Sequence, residues 1–465
     1  MEKKAKPPPP PFLVPAVIDA LRDSTKFGSL VKLVPGEADG FCAENVRENG
    51  GLVLTSDSDL LVYDLGEAGG VVFLADIDAG TDTQTLTAPQ YRPADICRRL
   101  SLRPDTGLQY LAFEISRDQH LTLEQAVERA KRSEAVSVSR EEYSEFIEQY
   151  LSPEVASRSR KGEIPPLDPR VSEIVLRSLC ASETTTPVSK GNAEPRLSGE
   201  AELEMYLPFL LDYPLRTSAW EASKPLRRLA YAVLQSLRGS SIPSVSEMRR
   251  LQSVSSGLQV SVPSLVEVDE LGTSLVEVLS SIEDGISNPD ILWVSLAIYQ
   301  DILMTMERGK GYPVSLEVLG QATKGKLDMC SWESVHFLAQ TQATYYSLRM
   351  LRQILDVSVH HTGSLSTTMS KVSRSLSALP PLTDFPSIRT FGDTLRVIRE
   401  SGALACLQSL CAEYEDVVSL IKSILRPQDN KKSKKRKAVA SSEGDAKVTK
   451  PRSNNPFDLL SRSGE

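Results

Sequence analysis

The chain has 465 residues, of which 40% are hydrophobic and 25% charged, the balance of a globular protein with room for two or three domains. Its 53 Lys and Arg stand against 61 Asp and Glu, a net charge of −8, which excludes a chain-wide nucleic-acid surface and requires any such contact to come from a local basic patch. No apolar run approaches the roughly 18 residues of a membrane-spanning helix, so no membrane partner is expected.

The opening "MEKKAKPPPPPFLVP" sets five prolines where a secretion signal would have its apolar region, and reads as an extended polyproline lead-in. "VPAVIDALRDS" has helical spacing, and "LVKLVPG" (30–36) reads as a short buried strand ending at Pro-Gly. "EADGFCAENVRENG" reads as a helix stopped by Asn49 and Gly50, and "GLVLTSD" (51–57) as an apolar strand. "DLLVYDLG" suits a short helix or strand edge, and "GGVVFLADI" (69–77) another strand. Strand, helix and strand at this spacing imply a right-handed crossover and a parallel sheet.

From residue 90 the pattern turns helical: "RPADICRRLSL", "DTGLQYLAFEIS" and "TLEQAVERAKRS", with Thr122 and Gln125 spaced as a capping box. Residues 12–135 form the α/β part, 136–200 a Ser/Pro/Arg/Thr-rich linker with short helices, 201–426 a helical domain and 427–465 a disordered basic tail. The helices expected after residue 200 are "AELEMYLPFLLDYPL", "LRRLAYAVLQSL", "DILWVSLAIYQDILMTME", "VHFLAQTQATYYSLRMLRQIL" and "TLRVIRESGALACLQSLCAEYEDVVSLIKSIL". Residues 360–390 read as a mobile loop. The fold class is α/β, then mainly α.

Six scattered cysteines without a CxxC pair read as free thiols. The adjacent His360 and His361 fall in a Ser/Thr-rich stretch and read as loop rather than zinc ligands.

Two acidic doublets carry the chemistry. Glu37 and Asp39 follow the expected strand at 30–34, and Asp57 and Asp59 follow the strand at 51–55. Ligands of open α/β sheets sit at the carboxyl ends of strands, so parallel neighbours would bring all four acids to one rim. Four uncompensated carboxylates there would repel one another, a conflict that a divalent cation removes. Oxygen-only ligands favour Mg²⁺ or Mn²⁺, and two such ions about 4 Å apart suit phosphodiester hydrolysis. Helix N-terminal capping explains Glu37 or Asp57 singly, but not the pairing.

The stretch "PGEADGFCAENVRENGGLVLTSDSDLLVYD" resembles the internal nuclease region of the flap-endonuclease superfamily, in particular its Asteroid branch. The likeness lies in an acidic-x-acidic pair, a helix of small residues, and an apolar strand ending in Ser-Asp-x-Asp. It is sharp over residues 30–80 and weaker to about 135. It implies a PIN-like α/β core that uses two Mg²⁺ ions on nucleic acid, DNA ahead of RNA. Glu37, Asp39, Asp57 and Asp59 would be the catalytic metal ligands, with Asp118 as a fifth.

There are two departures from the family pattern. Family members carry a longer preceding region with two further metal-binding Asp residues, which makes this chain an incomplete or degenerate relative. They also carry a Gly-rich hairpin after a Gly-x-Asp-Tyr motif, whereas "LAFEISRDQHLTLEQAVERAKR" offers Asp118 without those glycines. Asp76 and Asp78 read as surface acids at a strand end.

In the tail, Lys431, Lys432, Lys434, Lys435, Arg436 and Lys437 form a short basic run that reads as a nuclear localisation signal. It implies a nuclear protein met by an import receptor. "NNPFDLL" (454–460) offers short apolar anchors for a protein partner. Two functions are compatible with these features: a Mg²⁺-dependent endo- or exonuclease, or a non-catalytic nuclear scaffold that uses its helical region for partners.

Overall fold

The computed structural model describes residues 10–32, 34, 38–78, 80, 85–135, 140–148, 150, 167–183, 203–239, 241–249, 257–309 and 311–425. Glu37, the prolines at 7–9 and the basic run at 431–437 lie outside them.

Helix α1 (Leu13–Asp23) leads to α2 (Ala38–Asn49), which ends where Gly50 takes a φ of 70°. Strand β1 (Leu52–Thr55) follows and pairs in parallel with β2 (Gly70–Phe73), in the register Val53↔Val71. A 3₁₀ turn, Asp59–Leu61, lies between them. Ala43 and Val46 of α2 pack with Val53, Leu60, Leu65 and Val71 in a small core. Tyr91 extends β2 through paired 2.8 Å hydrogen bonds with the Val71 backbone.

The expected strand at 30–34 does not form. Gly28–Leu30 is a 3₁₀ turn, Leu30 is 71% exposed, and β1 and β2 are the two strands of this sheet among the described residues. A strand needs a neighbour for its backbone groups, and the described residues of this segment have none there.

Helices α3 (Pro93–Leu100), α4 (Gly107–Arg117) and α5 (Leu123–Ala135) share a second small core around Cys97, Leu111 and Ala126. The Thr122–Gln125 capping box forms. The Thr122 amide donates to Gln125 Oε1 at 3.0 Å, and the Gln125 amide to Thr122 Oγ1 at 3.3 Å. Helix α6 (Arg140–Glu148) leans on α4 through Tyr143, stacked 4.2 Å from Tyr110.

The largest core belongs to the C-terminal half. The stretch read as linker contributes α7 (Pro169–Glu183), whose Val171, Ile174 and Val175 are fully buried there. Helix α1 joins the same core: Phe12 stacks on Tyr346, and Arg349 holds Asp19 at 2.8 Å. Strands β3 (Leu203–Tyr206), β4 (Ser244–Met248) and β5 (Leu258–Ser261) make a three-stranded sheet, β3 parallel and β5 antiparallel to β4. The helix expected at "AELEMYLPFLLDYPL" is therefore strand β3. Leu207 adds one more bond to Met248, and the ladder stops where Pro208 has no N–H to give.

Helices α8 (Lys224–Arg238), α9 (Leu265–Gly285), α10 (Leu292–Arg308), α11 (Val314–Thr323) and the 31-residue α12 (Trp332–Thr362) build the helical body. The loop expected over 360–390 instead carries α13 (Thr367–Leu376), capped by Ser366 and buried through Met369, Val372 and Leu376. His360 and His361 sit in the last turn of α12. The final expected helix is three: α14 (Phe391–Glu400), α15 (Ala403–Leu410) and α16 (Glu415–Leu425), broken first at Gly402 with a φ of 88°. The architecture is thus a small parallel sheet with flanking helices, followed by a large helical region. Cys42, Cys97, Cys330, Cys406 and Cys411 are free thiols. No helix among the described residues is long and apolar enough to cross a membrane.

Candidate functional site: the carboxyl rim of the parallel strands

Because β1 and β2 run in parallel, the residues following both strands share one edge of the sheet. After β1 come Asp57 and Asp59, both exposed. After β2 comes Asp76, in the 3₁₀ turn Leu74–Asp76. Among the described residues, the second contributor to this edge is therefore the end of β2. Asp39 lies in the first turn of α2; burial, followed by the Asp39 charge, holds the Cys42 thiol above its ordinary range.

Each rim acid has protein work already. Asp57 Oδ1 accepts the Asp59 amide at 3.0 Å and caps the 3₁₀ turn, while the Asp57 amide donates to Thr55 Oγ1 at 3.0 Å. Asp59 accepts the Tyr150 hydroxyl. Burial, followed by the charges of Asp59 and Asp57, raises the Tyr150 phenol above its usual range. Asp76 accepts the Tyr91 hydroxyl at 2.8 Å, which raises that phenol as well.

Tyr150 is held in place by other rings. Its ring meets Tyr63 edge-on at 5.2 Å and Phe146 at 5.2 Å; Phe146 meets Phe113 of α4 at 5.5 Å. An aromatic string thus runs from the core of α4 to the Asp59 carboxylate. Tyr150 lies in the turn just past α6, its amide donating to the Ile147 carbonyl at 2.8 Å.

Asp118 stands apart. It caps the C-terminus of α4, accepts the His120 amide at 3.1 Å, and pairs with Arg129 of α5 at 3.4 Å. This exposed pair staples the α4–α5 hairpin.

Among the described residues, no three His, Cys, Asp or Glu side chains converge to hold a metal ion. The described residues therefore do not make up the two-ion centre that the resemblance implies, and Glu37 lies outside them. The donor chemistry of Asp57 and Asp59 suits a single hydrated Mg²⁺, which keeps several waters and is usually held by one or two carboxylates together with substrate phosphate.

A protein family described as XPG domain containing matches residues 9–262, a span that takes in the rim, the α4–α5 hairpin and the sheet β3–β5. No curated protein and no solved structure matches the chain.

Proposed function

We propose, from the premise that the chain belongs to the XPG-domain-containing family of the flap-endonuclease-like superfamily, that it is an Asteroid-like member acting on phosphodiesters of nucleic acid, DNA ahead of RNA. The observation that carries this reading is the position of Asp57 and Asp59, both at the carboxyl end of a parallel strand inside the family-matched region. Asp57 and Asp59 would hold Mg²⁺ or Mn²⁺, with Glu37 and Asp39 as further carboxylates. When bound, a divalent ion supplies Lewis-acid activation of water and neutralises charge on phosphate oxygens. The protein's own share is positional. The Asp57 cap fixes the turn carrying Asp59, and Tyr150 fixes the Asp59 carboxylate. Asp118 is left out of the ligand set, because its carboxylate is committed to Arg129. The run Lys431–Lys437 supports nuclear import and adds an electrostatic handle for nucleic acid.

A second reading, a non-catalytic nuclear scaffold, is favoured by the engagement of Asp59 with Tyr150. A Mg²⁺-dependent cleavage assay of the full chain on flap DNA, single-stranded DNA and single-stranded RNA separates the two. Cleavage that Asp57→Ala reduces at least about 100-fold supports the nuclease. Equal cleavage by wild type and Asp57→Ala removes the site assignment. Nucleic-acid binding without cleavage supports the scaffold.

A further inference from the structure

A cavity of about 220 Å³ opens in the helical body, far larger than one water needs. The loop at 215–217, the C-terminal part of α10, the start of α11 and the N-terminal half of α12 enclose it. Nothing in the proposed function uses it.

Its floor holds a buried polar pair. Asp301 is 1% exposed and accepts three hydrogen bonds, from the Ser315 amide at 2.8 Å, Ser315 Oγ at 2.7 Å and Gln340 Nε2 at 2.9 Å. These bonds fix the Gln340 amide with its nitrogen toward Asp301. Gln340 is also 1% exposed, and its Oε1 has no hydrogen-bond partner among the described residues. A buried acceptor left without a donor is costly to the folded state. Gln340 lines the cavity, and its Oε1 is the buried acceptor there that still lacks a donor.

The mouth carries positive charge. Arg216 and Arg308 both line it. Arg216 pairs with Glu317 at 2.9 Å. Arg308 reaches Thr217 and pairs with Glu221 at 2.9 Å, but Glu221 also serves Lys224 and Arg249. Arg249 in turn shares Glu247 with Arg227. This connected network sets four cations against two carboxylates. The excess reaches the cavity through Arg308. Tyr312, 72% exposed, lines the same mouth.

We propose that this cavity binds a phosphate monoester whose organic body bears an N–H or O–H donor, the phosphate lying against Arg216 and Arg308 and the donor reaching Gln340 Oε1. A planar guanidinium matches a phosphate edge with paired N–H donors. The orphan acceptor selects among phosphates for those whose body can donate.

Calorimetric titration of the full chain at low ionic strength tests this with adenosine 5′-monophosphate, ribose 5-phosphate and inorganic phosphate. Saturable binding of the monoesters, tighter than that of inorganic phosphate, is expected. Gln340→Met should weaken the monoesters about tenfold and leave inorganic phosphate unchanged. Arg216→Ala, at a partly exposed position safe for folding, should weaken all three. The proposal is overturned if wild type shows no saturable binding, if the monoesters bind no better than inorganic phosphate, or if Arg216→Ala binds as wild type does. Should Gln340→Met fail to fold, the Arg216→Ala and ligand comparisons decide.

Discussion

Replacing Glu247 by Gln should destabilise the protein strongly at neutral pH and much less in acid. Glu247 and Arg227 are both fully buried, and Arg227 donates to Glu247 from Nε at 2.6 Å and from Nη2 at 3.0 Å. Arg249 and the Tyr231 hydroxyl complete the carboxylate's partners. Burial alone would raise the carboxyl pKa, but the Arg227 guanidinium outweighs it and, with Arg249, holds Glu247 down at about 2. A depressed carboxylate contributes stability that is present above its unfolded value and lost as pH falls through the folded one. Against an ordinary value of 4.5, the shift corresponds to about 3 kcal/mol at pH 7, of which about 2 are gone by pH 3. Gln keeps the shape but leaves Arg227 buried without a counter-charge, a change that costs about 3–5 kcal/mol. Urea unfolding of wild type and Glu247→Gln at several pH values between 7 and 3 reads this directly. The gap between their midpoints should narrow steadily below pH 4.5. A gap that stays constant with pH would show that the pair contributes through packing and not through charge.

Tyr150→Phe removes the hydroxyl that Asp59 accepts, and should cost only about 1 kcal/mol while strengthening Mn²⁺ binding at Asp57 and Asp59, as read by calorimetry; unchanged affinity would mean that the phenol does not compete with the ion. Gly402→Ala combines a φ of 88° with a Cβ only 2.7 Å from the Gly285 carbonyl oxygen, so it should lose at least about 1–2 kcal/mol in thermal melts. Asp118→Asn breaks an exposed pair with Arg129 and should shift stability by less than about 1 kcal/mol, with nuclease activity, where present, unaffected; a large loss of cleavage would return Asp118 to the metal ligands.

The helices were legible because their cues are local. Gly50 closing α2, the Thr122–Gln125 box and the three-and-four spacing along α10 and α12 are all properties of neighbouring residues. The sheet β3–β5 was not legible. Strand β4 reads Ser-Val-Ser-Glu-Met, polar by composition, yet its central residues are buried because Arg227 arrives from α8 to match Glu247. A sequence window cannot contain a partner 20 residues away on another element. The expected strand at 30–34 failed for the opposite reason: its apolar run was real, but strand formation depends on a neighbour's backbone, which no local pattern encodes. At the site, Asp57 and Asp59 were found by their spacing, whereas the Tyr150 contact required the fold of α4 and α6.

The two phenols explain how the rim tolerates its acids, and also what it lacks. Tyr150 and Tyr91 each fill a lone pair on a rim carboxylate, which satisfies hydrogen bonding at Asp59 and Asp76. A neutral phenol cancels no charge, however. Asp57, Asp59 and Asp76 remain exposed anions on one edge, and an approaching phosphate meets their combined field. Surface screening weakens that field at physiological salt without reversing its sign. On the proposed reading, a phosphodiester would settle on this edge only together with cations, so nucleic-acid contact there would depend on the ions present whether or not hydrolysis follows.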